Sequence, residues 1–308
     1  KRGKEMIKKL GKAFLAAALS LGLVACTQQP KKAEPVSILC PTGAPALAIM
    51  GAYGLEDVTI DYVEGTDVLT AELSKEDSQY DIIVAPTNLG AKLYTKNPAY
   101  NLEAVLTWGN LYLVGPEGTD VKSADITIGA FGEGAVPGLV FNNVAKSENL
   151  SPNVTFFGSV QEAQQNLLGG KVDVALLAQP VATATIAKAK ELDKNLTVLM
   201  NLQTAFAKAQ GLETVGYPQA SMFVKSGKDV SRVTDAISAF IKDADETKLT
   251  ETIDTIGVDK LGLPATQVAV KSWDAQNIRY VLGKEAKTDI ESFLAIFNIQ
   301  LPEGLIVE

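Results

Sequence analysis

A strand–loop–helix unit occurs three times in succession, and the same pattern restarts further along the chain. The first unit is Val36-Ser37-Ile38-Leu39, running into Cys40-Pro41-Thr42-Gly43-Ala44-Pro45 and an Ala/Leu/Met helix from Ala46. The second is an alternating strand over residues 58–63, then Glu64-Gly65-Thr66-Asp67 and a helix through Leu73. The third is Asp81-Ile82-Ile83-Val84-Ala85, followed by Pro86-Thr87-Asn88 and a helix from about Leu89. Such alternation predicts parallel strands joined by right-handed crossovers, that is, an α/β fold.

Two strands follow, at 104–108 and 111–114, and the turn cluster Gly115-Pro116-Glu117-Gly118 is read as the crossing into a second lobe. There the pattern restarts. A strand at 126–130 leads through Phe131-Gly132-Glu133-Gly134-Ala135-Val136-Pro137-Gly138 to a helix ending near Lys146. A strand at 154–157 precedes a helix at 160–168. A buried strand at 172–177 ends in Ala178-Gln179-Pro180 and a helix through Leu192, and 196–200 is one more strand. From Tyr217-Pro218 the reading is a strand at 220–224, then helices at 231–244, 248–256, 266–272, 273–281 and 287–297. This last part is expected to return to the first lobe. The expectation is lobe I over 36–114 and 219–308, lobe II over 115–218, a double hinge crossing between them, and a cleft.

Residues 1–12 carry six basic side chains against the single Glu5, and residues 13–24 form a 12-residue apolar run. A membrane-spanning helix needs about 20 residues, so the run fits the hydrophobic region of a secretory signal. It ends in Leu23-Val24-Ala25-Cys26, which resembles a bacterial lipobox. The expectation is a signal peptide over 1–25, lipid on Cys26, a flexible tether over 26–35, and a place on the outer face of a bacterial cell membrane. Met6 is a candidate start. Without residues 1–25 the chain carries 22 Lys+Arg against 35 Asp+Glu, a net charge of −13. That acidity argues against nucleic acid as a partner.

The 308 residues include no histidine and two cysteines, Cys26 and Cys40. Ser-His-Asp and Cys-His catalysis, His-ligated zinc and Cys-rich clusters are therefore excluded. Cys40 reads as a small buried residue. No cofactor is expected. The spacing around Gly132, Gly134 and Gly138 is G-x-G-x-x-x-G, not a dinucleotide fingerprint, and no P-loop lysine follows it.

Three segments carry a family resemblance. Gly169-Gly170-Lys171-Val172-Asp173-Val174-Ala175 with Gln179-Pro180 is similar to a segment of the solute-binding proteins of ABC importers. Tyr217-Pro218-Gln219-Ala220-Ser221-Met222-Phe223-Val224-Lys225-Ser226, with the helix ending Phe240-Ile241-Lys242-Asp243-Ala244, resembles their return strand and helix. Residues 81–86 resemble their third strand. The nearest branch is that of nitrate, sulfonate, taurine and thiamine-precursor binding proteins. The resemblance implies a two-lobe periplasmic-binding-protein-like fold of type II, with a small solute trapped between lobes that close. It also implies a permease partner with a separate cytoplasmic ATPase. The expected protein is a monomer that captures a small organic solute or monovalent anion and is not an enzyme. The alternatives are a ligand-sensing or adhesive lipoprotein without a transporter, and, third, an extracytoplasmic enzyme on the same fold.

Ligands of open α/β sheets sit beyond the carboxyl ends of the strands, which makes the loops there the candidate site. Thr42 and Gly43 offer amides and a hydroxyl, or form a plain turn. Thr87 and Asn88 stand in the equivalent place of the third unit, as cap or as ligand group. Trp108 and Asn110 lie near the hinge, where a tryptophan either stacks on a flat solute or fills the core. Gly134 and Ala135 open the second lobe's first helix, and Gln179 ends its buried strand. Glu64, Asp67 and Glu133 would suit a cationic group. The only arginines after the signal, Arg232 and Arg279, fall outside the expected cleft loops. Since bidentate arginine is a common carboxylate clamp, a neutral, zwitterionic or singly charged solute is expected.

Overall fold

The computed structural model describes residues 34–307. The signal segment, Met6, Cys26 and most of the tether lie outside the described residues.

In chain order the first elements are β1 (Val36–Pro41), α1 (Ala44–Ala48), β2 (Val58–Val63), α2 (Asp67–Leu73), β3 (Ile82–Pro86), α3 (Thr87–Tyr94), β4 (Tyr100–Thr107) and β5 (Leu111–Pro116). Then come β6 (Thr127–Phe131), α4 (Val136–Glu148), β7 (Asn153–Phe157), α5 (Val160–Leu168), β8 (Val174–Ala178), α6 (Val181–Glu191), β9 (Leu196–Asn201) and α7 (Leu202–Gln210). The rest is β10 (Ala220–Lys225), α8 (Ser231–Lys242), α9 (Glu246–Ile256), α10 (Val258–Leu261), α11 (Thr266–Lys271), β11 (Ile278–Leu282) and α12 (Lys287–Ala295).

These strands make two mixed sheets. The first has the order β11-β4-β10-β3-β1-β2, the second β7-β6-β8-β5-β9. In each, the three strands of the repeated unit are parallel and in the order expected for right-handed crossovers: β2-β1-β3 and β7-β6-β8. Each parallel set is then flanked by one antiparallel strand, β10 beside β3 and β5 beside β8. The fold is α/β, built on two mixed sheets of the same pattern.

The central strands of both sheets, such as β1, β3 and β8, are buried on both faces and so read as continuous apolar runs. Along β1, Ile38 and Cys40 pack on one side of the first sheet and Leu39 on the other. Along β8, Val174 and Leu176 face one cluster and Ala175 and Leu177 another. The period of two sends successive side chains to opposite layers.

An aspartate just before the third strand of each unit ties it to the first. Asp81 Oδ2 accepts from the Ser37 N–H at 2.9 Å and from the Ser37 hydroxyl at 3.2 Å. Asp173 Oδ2 accepts from the Thr127 N–H at 2.8 Å and from its hydroxyl at 2.7 Å. The aspartate of the Gly170–Ala175 segment is thus a strand staple, far from the strands' carboxyl ends.

The structure departs from the sequence reading in three places. The chain passes between sheets at Trp108-Gly109-Asn110, not at residues 115–118: β5 pairs with β8 and β9, so residues 111–114 belong with the second sheet. Gly109, at φ 84°, makes the bend there. Residues 273–281 are not a helix. A short 3₁₀ turn at Asp274–Gln276 ends at Asn277, which has a φ of 52°, and Ile278, Val281 and Leu282 pair with β4. Left-handed backbone at Asn277 cannot continue a helix, and the Ile-Arg-Tyr-Val alternation suits an edge strand. Finally, α7 is a helix that the sequence reading omitted. Asn201 caps it, its Oδ1 accepting from the N–H groups of Gln203 and Thr204.

Candidate functional site

The carboxyl ends of β1, β3 and β4 and the start of β10 lie on one edge of the first sheet. Those of β6 and β8 and the start of β5 lie on one edge of the second. The passages at 108–110 and 211–219 join the two sheets, and the expected site residues fall on these edges.

Around the first passage three of them are brought together. The Asn110 side-chain Nδ2 donates to the Gln179 carbonyl at 3.0 Å, and the Gln179 N–H donates to the Asn110 carbonyl at 2.9 Å. The Trp108 N–H donates to the Asn277 carbonyl at 2.9 Å, while the Trp108 carbonyl accepts from Tyr217 N–H at 3.2 Å and Asn277 Nδ2 at 2.6 Å. The outgoing and returning passages are thereby bonded to each other. Trp108, Asn110 and Gln179 are 1%, 3% and 5% exposed. Gln179 Oε1 accepts from the Thr183 N–H at 3.1 Å, capping the first turn of α6.

Thr87 connects to the same region. Its N–H donates to the Gln219 carbonyl at 3.1 Å, and the Gln219 N–H donates to the Thr107 carbonyl at 2.9 Å. The Thr87 and Ser221 hydroxyls are paired at 2.7 Å in full burial.

Five side chains here hold buried polar atoms with no partner in the protein: Asn88 Oδ1, Trp108 Nε1, Asn110 Oδ1, Gln219 Oε1 and Arg279 Nε. Buried polar groups are normally hydrogen-bonded, so their grouping at the sheet edges and passages marks this place as one equipped for a polar guest.

The other expected residues are placed differently. The amides of Thr42 and Gly43 are already taken: they donate to the Val63 carbonyl at 3.0 Å and the Leu261 carbonyl at 2.8 Å. Only the Thr42 hydroxyl is left, at a groove of about 650 Å³ shared with Tyr62, Glu64, Tyr80 and Lys260. Gly134 and Ala135 are exposed at the head of α4, which has no side-chain cap. Gly138 packs so closely there that a Cβ would stand 2.4 Å from the Gly132 carbonyl oxygen.

Sequence reasoning missed Gln219 and Arg279. Gln219 adjoined the recognised Tyr217-Pro218 segment and was legible as a candidate. Arg279 falls in residues 273–281, where the sequence pattern suggests a helix and the structure has an edge strand. In the structure it lies on β11 with its guanidinium 4.5 Å from the Trp108 ring centre, and it donates to the Val215 carbonyl at 2.9 Å. An arginine therefore does touch a site residue. Burial pulls its ionisation below the usual guanidinium range, and the Asp289 carboxylate works in the other direction. Arg232 donates instead to the Glu56 carbonyl, on the exposed surface. Burial pushes the Cys40 thiol well above its ordinary value, which leaves it unreactive. Among the described residues no group of three or more Cys, Asp or Glu side chains could hold a metal ion, and no helix is long and apolar enough to cross a membrane.

No protein-family model and no curated protein matches the chain. Solved structures do. A crystal structure of an ABC transporter from Parabacteroides distasonis superposes with a TM-score of 0.75 at 21% identity, covering 90% of this chain and 99% of that one. The fold is that of periplasmic binding proteins. The periplasmic aliphatic sulphonate binding protein SsuA of Escherichia coli gives a TM-score of 0.61 at 14% identity, covering 90% of this chain and 94% of that one. The ligand-binding component of an ABC-type import system from Staphylococcus aureus, solved with zinc bound, gives 0.54 at 15% identity, covering 90% and 97%. At these identities the likeness establishes the periplasmic-binding-protein fold and nothing finer.

Proposed function

We propose that this protein is the extracytoplasmic solute-binding component of an ABC importer, held to a bacterial membrane by lipid on Cys26. One lobe is built on each sheet. A small solute enters between the facing sheet edges and is met by groups from both, and contacts to both lobes at once favour the closed form over the open one. The closed protein docks on a permease, and a separate ATPase in the cytoplasm supplies the energy.

The observation that carries this reading is the set of buried, unpartnered polar atoms of Asn88, Trp108, Asn110, Gln219 and Arg279 at the edges and passages of a periplasmic-binding-protein fold. Solved proteins of that fold include the ligand-binding component of an ABC-type import system and a periplasmic sulphonate binding protein. The role proposed for these groups is capture of a polar solute.

The test is a thermal-shift screen of the full chain against vitamins, pyrimidines, sulfonates, nitrate, amino acids and short peptides. A solute at about 100 times its dissociation constant adds roughly 2.7 kcal/mol, which raises the midpoint by several degrees. A single responding class supports capture. A response from none of them counts against it and favours a sensing or adhesive lipoprotein.

A further inference from the structure

We infer that the captured solute donates a hydrogen bond to Asn110 and so carries an uncharged N–H or O–H group, such as an amide, a ureide or an amino-substituted ring, and is not a bare oxyanion. This rests on the capture reading and narrows its cargo.

The argument begins with the orientation of one amide. Asn110 is 3% exposed, and its Nδ2 donates to the Gln179 carbonyl at 3.0 Å. Turning the amide over would set Oδ1 against that carbonyl, acceptor against acceptor, so the bond fixes which edge faces which way. The edge left over is Oδ1, which is buried and has no partner in the protein. It is an acceptor, and only a donor satisfies it.

Its location is the second step. Leu111 pairs with Ala178, so Asn110 stands beside Gln179 at the carboxyl end of β8, on the edge where this fold class places ligands. Two residues earlier the Trp108 Nε1–H, a donor only, is buried without a partner. The passage thus offers one fixed acceptor and one fixed donor. Asn88 and Gln219 add two amides with no side-chain bond to fix their orientation, and these adapt to either sense.

Charge is the third step. Arg279 covers the Trp108 ring with its Nη2 on the Val215 carbonyl and its Nε–H buried without a partner, so it offers the solute a further donor and no acceptor. Its positive charge is also a poor neighbour for a cationic donor. An oxyanion such as nitrate or a sulfonate head group brings only lone pairs, and against Asn110 Oδ1 these repel. An uncharged N–H or O–H group meets each condition.

Crystals of the full chain soaked separately with acetamide, N,N-dimethylacetamide and sodium nitrate test this directly. The expected result is the acetamide nitrogen within hydrogen-bond reach of Asn110 Oδ1 and neither of the other two probes at that position. Nitrate or dimethylacetamide seated on Asn110, or acetamide absent from it, overturns the proposal. A second measurement uses the best solute from the thermal-shift screen. Asn110→Ala should weaken its affinity by about tenfold, the loss of one buried hydrogen bond. An unchanged affinity sinks the donor proposal and leaves capture standing. If no solute class raises the midpoint and no probe enters between the sheets, both readings fail.

Discussion

The guanidinium of Arg279 lies 4.5 Å from the centre of the Trp108 ring, joining edge strand β11 to the passage between the two sheets. A cation over an indole face contributes about 0.5–2 kcal/mol depending on its solvation. Arg279→Ala should therefore lower stability by about 1 kcal/mol in urea unfolding and alter the emission of the buried Trp108. Arg279→Lys should recover only part of the loss, because the planar stack and the bond to the Val215 carbonyl both need the guanidinium. Full recovery by lysine would show that charge alone matters there.

The Thr87 and Ser221 hydroxyls satisfy each other at 2.7 Å between α3 and β10. Removing one strands the other in full burial, at a cost of about 1–3 kcal/mol. Thr87→Val and Ser221→Ala should each destabilise the chain by that order, and the double variant by clearly less than their sum. Strict additivity in the double-mutant cycle would mean that the pair is not coupled.

Asp173 accepts two hydrogen bonds from Thr127, which hold its carboxyl below the ordinary carboxylate value of 3.8. A depressed folded-state value stabilises the protein above the unfolded one, and the contribution is lost as pH falls through the folded value. The stability gap between wild type and Asp173→Asn should thus be widest above about pH 5 and close in stronger acid. A gap that is constant from neutral pH into acid would refute the staple.

Gly138 has no room for a Cβ, which would stand 2.4 Å from the Gly132 carbonyl oxygen and 2.7 Å from Glu133 Cα. Gly138→Ala must push the loop at the head of α4 outward, costing about 1–3 kcal/mol. Nothing lies within 4 Å of a Cβ at Gly134, so Gly134→Ala should stay within about 0.5 kcal/mol of wild type. Unfolding curves for the two variants decide it. Equal effects would mean that the loop yields freely.

Phe293 of α12 stacks on Tyr217 of the return passage, with ring centres 5.6 Å apart and planes 10° from parallel. Its neighbours Ile290 and Leu294 pack into the first sheet's cluster while Phe293 joins the second's. Phe293→Ala should cost about 3–5 kcal/mol and broaden the unfolding transition, since one helix braces both clusters. A sharp transition with a small loss would show that α12 does not couple them.

The sequence by itself determined the sheets' parallel cores. Runs such as Ile82-Ile83-Val84-Ala85 and Val174-Ala175-Leu176-Leu177 are apolar on both faces, and the turn residues after them mark crossovers; both signals are local. It also marked Thr87, Trp108, Asn110 and Gln179 as residues at strand ends. Only the tertiary structure decided what each does there. The Thr42 and Gly43 amides are consumed by Val63 and Leu261, far away in sequence. Asp173 turned out to be a staple because Thr127 meets it across the sheet. Arg279 reached Trp108 because residues 278–282 paired as an edge strand on β4, a choice made by a partner strand more than 170 residues away. Hydrophobic period is written into a single stretch of chain, whereas the satisfaction of a polar group depends on which distant atom folding brings within 3 Å. That is why the layers could be read early and the free acceptor on Asn110 only at the end.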